Sequence, residues 1–231
     1  MAEVTLLSLP ASPFAMSVKM ALIEKGVEFE TVEENYRASG KSELLVRVNP
    51  VTKQVPVLLH RAKPIWESLV ILEYVEETWK TQGTHLLPGD GYQRALARFW
   101  TNFVITKFWE TGLLIMKRVG DEQLKARDQV LEMIRLMDSE WSKPEYGKPF
   151  VFGDKLSLAD LALAPIASWK VTFETLGKFE FPDARTCPRM ALWLDAIENH
   201  PTVQSAILAP DLNLENANVI QKLIKDNKIK F

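Results

Sequence analysis

The fold is decided near the N-terminus, by the stretch Leu6-Leu7-Ser8-Leu9-Pro10-Ala11-Ser12-Pro13-Phe14. An apolar run typical of a strand meets a Ser-Pro pair and turns directly into a helical pattern that ends at Gly26. Serine just before a helix and proline at its first position are common helix starts. The backbone N–H groups and the positive dipole end at such a start favour anions. Ser12 therefore has two interpretations: a plain N-cap, or a hydroxyl that holds an anionic group such as a thiolate.

The bulk composition limits the classes of partner. The chain has 231 residues, of which 47% are apolar, with seven tryptophans, so it has enough material for one large domain or two small ones. A formal net charge of −2 argues against nucleic acid and anionic membranes, which favour basic proteins. The single cysteine, Cys187, excludes an internal disulfide and a Cys-x-x-Cys pair. We expect it to behave as a small, partly buried apolar residue.

The sequence carries no pattern of a secretory leader and no run of about 18 apolar residues, so we expect a soluble, cytoplasmic protein. The three histidines, His60, His85 and His200, lie far apart in the sequence. Neither a glycine-rich phosphate loop nor a G-x-S-x-G motif occurs. We therefore expect no metal, no nucleotide and no serine-hydrolase chemistry.

The chain after the first helix continues the α/β pattern. Residues 27–32 alternate apolar and polar side chains, which predicts a strand with one buried face. A third strand at 55–59 contains Pro56, which is unusual inside a strand and marks a candidate cis peptide. Residues 63–66 follow so closely that they predict an antiparallel hairpin. A helix starting at Glu67 completes a β-α-β, β-β-α domain.

The second half of the chain has a different composition. Residues 80–91 hold three of the ten glycines and a proline, which is typical of a linker. We predict an α/β domain over residues 1–80, a linker over 81–91 and an all-α domain over 92–231. Helices are predicted near residues 92–117, 122–142, 157–175, 188–199 and 216–226.

Residues 94–117 contain too many large apolar side chains for a helix with a single buried stripe. This helix can pack on both sides, part of the excess can line a ligand pocket or a dimer contact, and the two explanations are compatible. Further on, Ser157 and Asp160 have the spacing of a capping box, for which we expect a structural contribution of about 1 kcal/mol.

Eight short motifs follow one another along the chain: Ser12-Pro13-Phe14, Glu24-Lys25-Gly26, Asn49-Pro50-Val51, Val55-Pro56-Val57-Leu58, Glu67-Ser68-Leu69, Tyr92-Gln93-Arg94-Ala95, Arg98-Phe99-Trp100 and Ser157-Leu158-Ala159-Asp160. In this order they resemble the glutathione transferases of the plant tau class, over nearly the whole chain. The resemblance implies a thioredoxin-like N-terminal domain and a helical C-terminal domain. It also implies glutathione as co-substrate and a homodimer in which the N-terminal domain of one subunit meets the helical domain of the other.

The resemblance assigns Ser12 the hydrogen bond to the glutathione sulfur. A free thiol titrates near ~8.5, and a donor beside a helix N-terminus favours its thiolate. The residues implied to bind the rest of glutathione are Lys41, Lys53, Gln54, Val55, Pro56, Glu67 and Ser68. The last two match the pair that binds the γ-glutamyl end, Val55 and Pro56 match the backbone that pairs with the cysteinyl part, and the first three lie near the glycine carboxylate. Taken without the family, Glu67 and Ser68 are also explained as a plain helix cap.

The resemblance also implies a pocket for the electrophile. Its expected lining is Leu9, Pro10, Phe14, Trp109, Leu113, Met116 and Trp169. The family often has an aromatic pair where this chain has Leu9 and Pro10. We therefore expect an apolar pocket of altered shape.

The resulting hypothesis is a glutathione S-transferase that joins glutathione to hydrophobic electrophiles, with organic hydroperoxides as further substrates. A carrier that binds hydrophobic metabolites without turnover is an alternative. A thiol transferase or dehydroascorbate reductase would need a cysteine in place of Ser12, because mixed-disulfide chemistry requires sulfur.

Overall fold

The computed structural model of the protein describes residues 3–35 and 40–226. Within these residues, four strands form one mixed sheet: β1 (Val4–Ser8), β2 (Glu30–Glu33), β3 (Val57–His60) and β4 (Lys63–Trp66). The strand order is β2-β1-β3-β4, in which β1 and β2 are parallel and the other neighbours are antiparallel. The predicted β-α-β unit and the predicted hairpin are therefore confirmed.

Three helices belong to this first half of the chain: α1 (Pro13–Glu24), α2 (Glu43–Val48) and α3 (Ser68–Thr78). Helix α1 begins at the predicted Ser-Pro pair, and Gly26 follows its end with a φ of +63°, a backbone conformation that glycine adopts readily. Helix α1 packs against α3 and, through its other side, against the helical half of the protein. The strand–turn–helix that opens the sequence is thus a contact between the two halves.

The second half is helical. Its elements are α4 (Gly91–Phe103), a π-helical segment (Val104–Trp109), α5 (Glu110–Lys117), α6 (Asp121–Trp141), α7 (Leu158–Leu163), α8 (Ile166–Gly177), α9 (Pro188–Glu198), α10 (Pro201–Ala206) and α11 (Pro210–Lys225). In the part of the chain that the structure describes, none of the helices has the length and apolar character needed to cross a membrane. The predicted arrangement of an α/β half followed by a helical half is confirmed.

The second strand differs from its prediction. It spans Glu30–Glu33, and all four of its side chains are exposed. The apolar residues that produced the alternation, Val27 and Phe29, precede the strand and pack against the core from the loop. Because β2 is an edge strand, its side chains need not bury one face.

The third strand begins later than predicted. It starts at Val57, so Pro56 precedes the strand and takes no place in its hydrogen-bond ladder. The Val55–Pro56 peptide bond is cis. The prediction of a cis proline is therefore confirmed, and the prediction of a strand starting at Val55 is wrong.

Several helix boundaries also differ. The predicted helix over 157–175 is divided at Pro165, because proline lacks the N–H that would continue α7. The last helix begins at Pro210 rather than near residue 216, and α10 was not predicted. Both begin with proline at the first position, a signal that the hydrophobic pattern alone overlooks.

Asp160 has a larger structural role than a helix cap. The capping box with Ser157 is present, as predicted. The Asp160 carboxylate is fully buried and also accepts the N–H of Val151 at 2.9 Å and the indole N–H of Trp193 at 2.8 Å. The pKa of this carboxyl lies above its ordinary value because burial raises it, and the hydrogen bonds from its donors offset only part of that rise. Asp160 therefore joins α7, α9 and the loop before α7.

We predict that Asp160→Ala lowers the free energy of unfolding by about 3–5 kcal/mol, because it leaves several buried donors unpaired. This exceeds the contribution expected of a cap alone. Asp154→Ala, at an exposed position in the same loop, is the control and should stay within about 0.5 kcal/mol of the unchanged protein. Chemical denaturation measures both, and equally small losses would contradict the structural role of Asp160.

Candidate active site

A cleft of about 330 Å³ lies between the two halves of the protein. The first wall comes from the start of α1, the loop before β3 and the start of α3: Phe14, Gln54, Val55, Pro56, Glu67 and Ser68. The second wall comes from the π-helical segment and α5: Ile105, Thr106, Glu110, Leu113 and Lys117. Six of the predicted site residues of the first half are therefore brought together by the fold.

Ser12 caps α1 through its hydroxyl oxygen, which accepts the N–H of Ala15 at 3.2 Å. A serine hydroxyl has one donor and two acceptor positions, and this cap uses only an acceptor. Among the described hydrogen bonds, none uses the Ser12 O–H as donor. The two interpretations of Ser12 are therefore compatible: the same hydroxyl caps the helix and keeps its proton for another acceptor.

The sheet brings the loop of Ser12 beside the cis proline. Strands β1 and β3 are antiparallel, with Leu7 opposite Val57. The residues that follow β1 and the residues that precede β3 therefore leave the sheet at the same end. Ser12 is itself nearly buried and is not part of the cleft lining, whereas Phe14, two residues further on, lines the cleft.

Trp169 supports the loop that carries Ser12. Its indole N–H donates to the carbonyl of Ala11, the residue before Ser12, at 3.2 Å. Trp109 lies beside it, with ring centroids 6.2 Å apart, and its indole N–H donates to the carbonyl of Ala162 at 2.7 Å. This network ties the helical half to the start of α1.

Several residues predicted for the electrophile pocket lie outside the lining of this cleft. Trp109 and Trp169 are buried in the core, where their indoles bind backbone carbonyls, so the structure does not place them in the cleft wall. Met116 is also buried and lies outside the lining. Leu9 and Pro10 are half-buried and do not line this cleft. Of the seven predicted residues, those that line it are Phe14 and Leu113.

The start of α3 has the features of a binding position. Glu67 has a φ of +68°, a backbone conformation that is unfavourable for a residue with a side chain. Within the described structure its side chain makes no capping hydrogen bond to α3. Ser68 is the first residue of the helix and is buried against the cleft. A plain cap therefore does not explain the pair, and the helix start can accept an anionic group.

Lys41, Lys53 and Gln54 are placed differently from one another. Gln54 lines the cleft, whereas Lys41 and Lys53 are exposed and outside the lining.

The loop that carries Gln54 is held by Asn49, a buried residue to which sequence reasoning gave no role. Its side chain donates to the Gln54 carbonyl at 3.0 Å and accepts the N–H of Thr52 at 3.1 Å. The position of Asn49 in the Asn49-Pro50-Val51 motif was the sequence signal that could have indicated this role.

The second wall carries charges that the sequence prediction missed. Thr106, Glu110, Leu113 and Lys117 follow one another at spacings of four, three and four residues, as on one face of a helix. The pKa of Lys117 lies below its ordinary value because burial and the neighbouring Arg118 lower it, and the Glu110 carboxylate offsets only part of that change. The pocket is therefore not uniformly apolar. The helical spacing was visible in the sequence, but only its apolar members were considered.

The π-helical segment lies where the long helix passes the cleft. A π-helical turn holds more residues than an α-helical turn, and such segments are frequent at functional sites. Here Ile105 and Thr106 are adjacent in the sequence and both line the cleft. The helix predicted near residues 92–117 is confirmed, and the structure adds a π-helical segment at the position that shapes the second wall.

Cys187 has no place in the cleft. It is buried among the helices, as expected of a small apolar residue, and precedes α9. Burial and the carboxylate of Asp138 raise the pKa of its thiol, which disfavours the reactive thiolate. Across residues 3–35 and 40–226, no group of three or more potential ligand side chains is arranged to hold a metal ion.

Comparisons with known proteins agree with this arrangement. The family described as glutathione S-transferase, N-terminal domain, matches residues 2–77, and that described as glutathione S-transferase, C-terminal domain, matches residues 77–196. The probable glutathione S-transferase MSR-1 of Nicotiana plumbaginifolia is 38% identical over 203 residues, which cover 88% of this chain and 89% of that protein. Glutathione S-transferase U22 of Arabidopsis thaliana is 39% identical over 204 residues, 88% of this chain and 89% of its own length.

Two solved structures have the same fold. The tau-class glutathione S-transferase from mango, Mangifera indica, is 33% identical and superimposes with a TM-score of 0.86 over 94% of this chain and 98% of its own. Rice GST1 in complex with glutathione is also 33% identical, with a TM-score of 0.84 over 96% of this chain and 99% of its own. The protein therefore belongs to the glutathione S-transferase family and, within it, to the tau class.

We predict that Trp169→Phe loosens the start of α1, because it removes the donor to the Ala11 carbonyl. A hydrogen bond of about 1 kcal/mol corresponds to roughly fivefold faster hydrogen exchange at the Ser12 and Ala15 amides. The control is Trp100→Phe, which removes the indole donor to the Tyr146 hydroxyl elsewhere in the helical half. Equal exchange at these two amides in both variants would show that Trp169 does not hold the loop.

Proposed function

We propose that the protein catalyses attack of the glutathione thiolate on hydrophobic electrophiles, with Ser12 as the residue that donates a hydrogen bond to the sulfur. The observation that carries this proposal is the state of the Ser12 hydroxyl. It caps α1 as an acceptor, so its proton is available at the positive end of that helix. Both features favour a thiolate over a thiol.

The remaining cleft residues fit the parts of glutathione. Ser68 and the start of α3 offer donors to the γ-glutamyl carboxylate, and the Glu67 carboxylate suits the ammonium of the same end. The backbone of Val55, beside the cis peptide bond to Pro56, is the partner for the cysteinyl part. Rice GST1, which is 33% identical to this chain, was crystallised in complex with glutathione, which supports glutathione as the ligand.

Gln54, together with the exposed Lys41 and Lys53, is proposed for the glycine carboxylate. Gln54 lines the cleft, and its loop is fixed by Asn49. The two lysines lie outside the lining, so their contribution is long-range attraction of the anionic tripeptide, which salt would weaken.

The reaction follows from this arrangement. The glutathione thiol releases its proton to solvent, and the thiolate attacks an electrophilic carbon held against the second wall. A carbon–sulfur bond forms, and in a substitution the leaving group departs with the bonding pair. Holding both reactants in one cleft supplies proximity, and the Ser12 donor stabilises the charge on sulfur before attack.

We predict that Ser12→Ala and Ser12→Asp both lower kcat/KM for glutathione and 1-chloro-2,4-dinitrobenzene by about 10²–10³, since one preorganised donor is lost. The two variants separate catalysis from capping. Alanine removes the cap and costs about 1 kcal/mol of stability, whereas aspartate is itself a good N-cap and should retain it.

If Ser12→Asp retained the activity of the unchanged protein, the hydroxyl donor would not be required. If the unchanged protein bound glutathione and hydrophobic ligands tightly but formed no conjugate, the carrier alternative would replace the proposed function. Initial rates and equilibrium binding, measured on the same preparation, separate these results.

We also propose that the protein is a homodimer that uses a surface on α3 and α4. Val70 on α3 and Tyr92 and Phe99 on α4 are apolar and exposed, with Tyr92 at 64% and Phe99 at 56% of full accessibility. A bidentate ion pair between Arg98 and Glu73 links the two helices side by side, with N···O distances of 2.9 and 3.0 Å. Exposed apolar side chains grouped in this way are typical of subunit contacts.

We predict that Phe99→Glu converts a dimer into a monomer at micromolar concentration, because it places a charge in the centre of the contact. Leu136→Glu, on the exposed side of α6, is the matched control and should remain dimeric. Light scattering after size-exclusion chromatography measures the mass. A monomeric unchanged protein, or a dimer in both variants, would contradict this surface.

A further inference from the structure

Trp66, the last residue of β4, lies outside the cleft lining but adjoins segments that belong to it. Glu67 and Ser68, which line the cleft, follow it in the sequence. In the sheet, Trp66 lies opposite Val57, the residue after the cis proline Pro56. The backbone therefore connects Trp66 to two of the segments that we propose to bind glutathione.

The side chain of Trp66 makes a third connection. Its indole N–H donates to the carbonyl of Val48 at 2.7 Å. Val48 is the last residue of α2, and a helix leaves its final carbonyls without partners in the helix itself. The indole therefore satisfies a carbonyl at the end of α2, immediately before the loop over residues 49–54 that carries Gln54.

Helix α2 depends on such contacts, because six residues are too few for a stable isolated helix. Among its described side chains, only Leu45 is buried, in a small apolar cluster that it shares with strand residues and against which Trp66 packs. The start of α2 is held by Ser42, whose N–H and O–H both donate to the Glu34 carboxylate. The Trp66 indole holds the other end, from which the loop leaves.

The loop over residues 49–54 is fixed internally. The Asn49 side chain bonds to Thr52 and to the Gln54 carbonyl, and the Lys53 N–H donates to the Asn49 carbonyl at 3.1 Å. A loop with these internal bonds moves as one unit with the helix end that carries it. The Trp66 indole therefore sets the position of Gln54 relative to the start of α3.

We propose that Trp66 is a positioning residue for the co-substrate: its bond to Val48 keeps Gln54 at the distance from the start of α3 that fits the length of glutathione. This inference rests on the proposed binding of glutathione, with Gln54 at the glycine carboxylate. Trp66 itself contacts no ligand in this account. Loss of its indole donor should weaken the binding of ligands that reach Gln54 and spare ligands that end before it.

The test compares two ligands that differ by the glycine residue: S-methylglutathione and S-methyl-γ-glutamylcysteine. Their methylated sulfur forms no thiolate, so stabilisation of a thiolate by Ser12 does not enter the comparison. Calorimetry measures Kd for the unchanged protein and for Trp66→Phe, which keeps an aromatic ring but removes the donor. Trp100→Phe is the matched control, because it removes an indole donor at the same 2.7 Å distance, to the Tyr146 hydroxyl in the helical half.

We expect Trp66→Phe to raise the Kd of S-methylglutathione about fivefold, the scale of one hydrogen bond. The Kd of S-methyl-γ-glutamylcysteine should stay within about twofold of that of the unchanged protein, which is small beside the effect of such a bond. In Trp100→Phe, the ratio of the two Kd values should equal that of the unchanged protein.

A second measurement needs no variant. Coupling between a bond and a ligand is reciprocal, so saturating S-methylglutathione should slow hydrogen exchange at the Trp66 indole about fivefold, by the same factor as the change in Kd. Saturating S-methyl-γ-glutamylcysteine should leave this exchange rate unchanged. Nuclear magnetic resonance of the indole N–H groups measures both rates on the unchanged protein.

Other results would overturn the inference. Equal weakening of both ligands in Trp66→Phe would show that Trp66 supports the whole site and does not position its glycine end. Unchanged Kd values, or an indole exchange rate that S-methylglutathione does not slow, would show that the bond to Val48 has no part in binding. An equal change of the ratio in Trp100→Phe would assign the effect to a general loss of stability. If the unchanged protein bound neither ligand, the proposed use of glutathione would fail, and this inference with it.

Discussion

The hydrogen bond from the Ala15 N–H to the Ser12 hydroxyl fixes where α1 begins, and this boundary positions both halves of the protein. It ends the loop that follows β1 and starts the helix that packs against α3 and against α7 of the helical half. Because the bond uses an acceptor position of the hydroxyl, the same atom keeps a donor. One serine therefore caps the helix and, in the proposed mechanism, also donates to the glutathione sulfur.

The helical half contributes to this site mainly through support. Trp169 reaches across to the Ala11 carbonyl, and Trp109 binds the Ala162 carbonyl next to it. Asp160, fully buried, anchors the start of α7 on which this packing depends. The side chains that line the cleft from the helical half come from the π-helical segment and α5 instead. The buried aromatic residues support the loop that carries Ser12, and polar and apolar residues of α5 line the cleft.

Local sequence patterns were sufficient to predict those helix starts and turns that are determined by residues a few positions apart. The Ser12-Pro13 helix start, the β3–β4 hairpin and the Ser157 capping box all follow from caps, turns and alternation, and the structure confirms them. The extent of β2 was wrong because alternation does not distinguish a strand from an apolar loop that packs on the core. The break at Pro165 was missed because the apolar pattern continues across it.

The site residues could be predicted where the family motifs cover them. They were harder to predict where the packing of helices determines which side chains line the cleft. Six of the cleft residues in the first half were named from the resemblance, whereas Trp109 and Trp169, named for the electrophile pocket, are buried and lie outside the lining of this cleft. Helical spacing shows which residues share a face, but not whether a tryptophan on that face meets a ligand or a backbone carbonyl. Lys117 was missed for a related reason, since a charged residue at a helix end is ordinarily explained by solvent and the helix dipole.

The central claim is that the start of α1 stabilises the thiolate of bound glutathione. The most direct measurement is a pH titration of the thiolate absorbance of glutathione in its complex with the unchanged protein, without an electrophile. The account predicts that the bound thiol titrates at least one pH unit below the ~8.5 of a free thiol. A bound thiol that titrates at or above that value would contradict it, whatever the protein binds in the rest of the cleft.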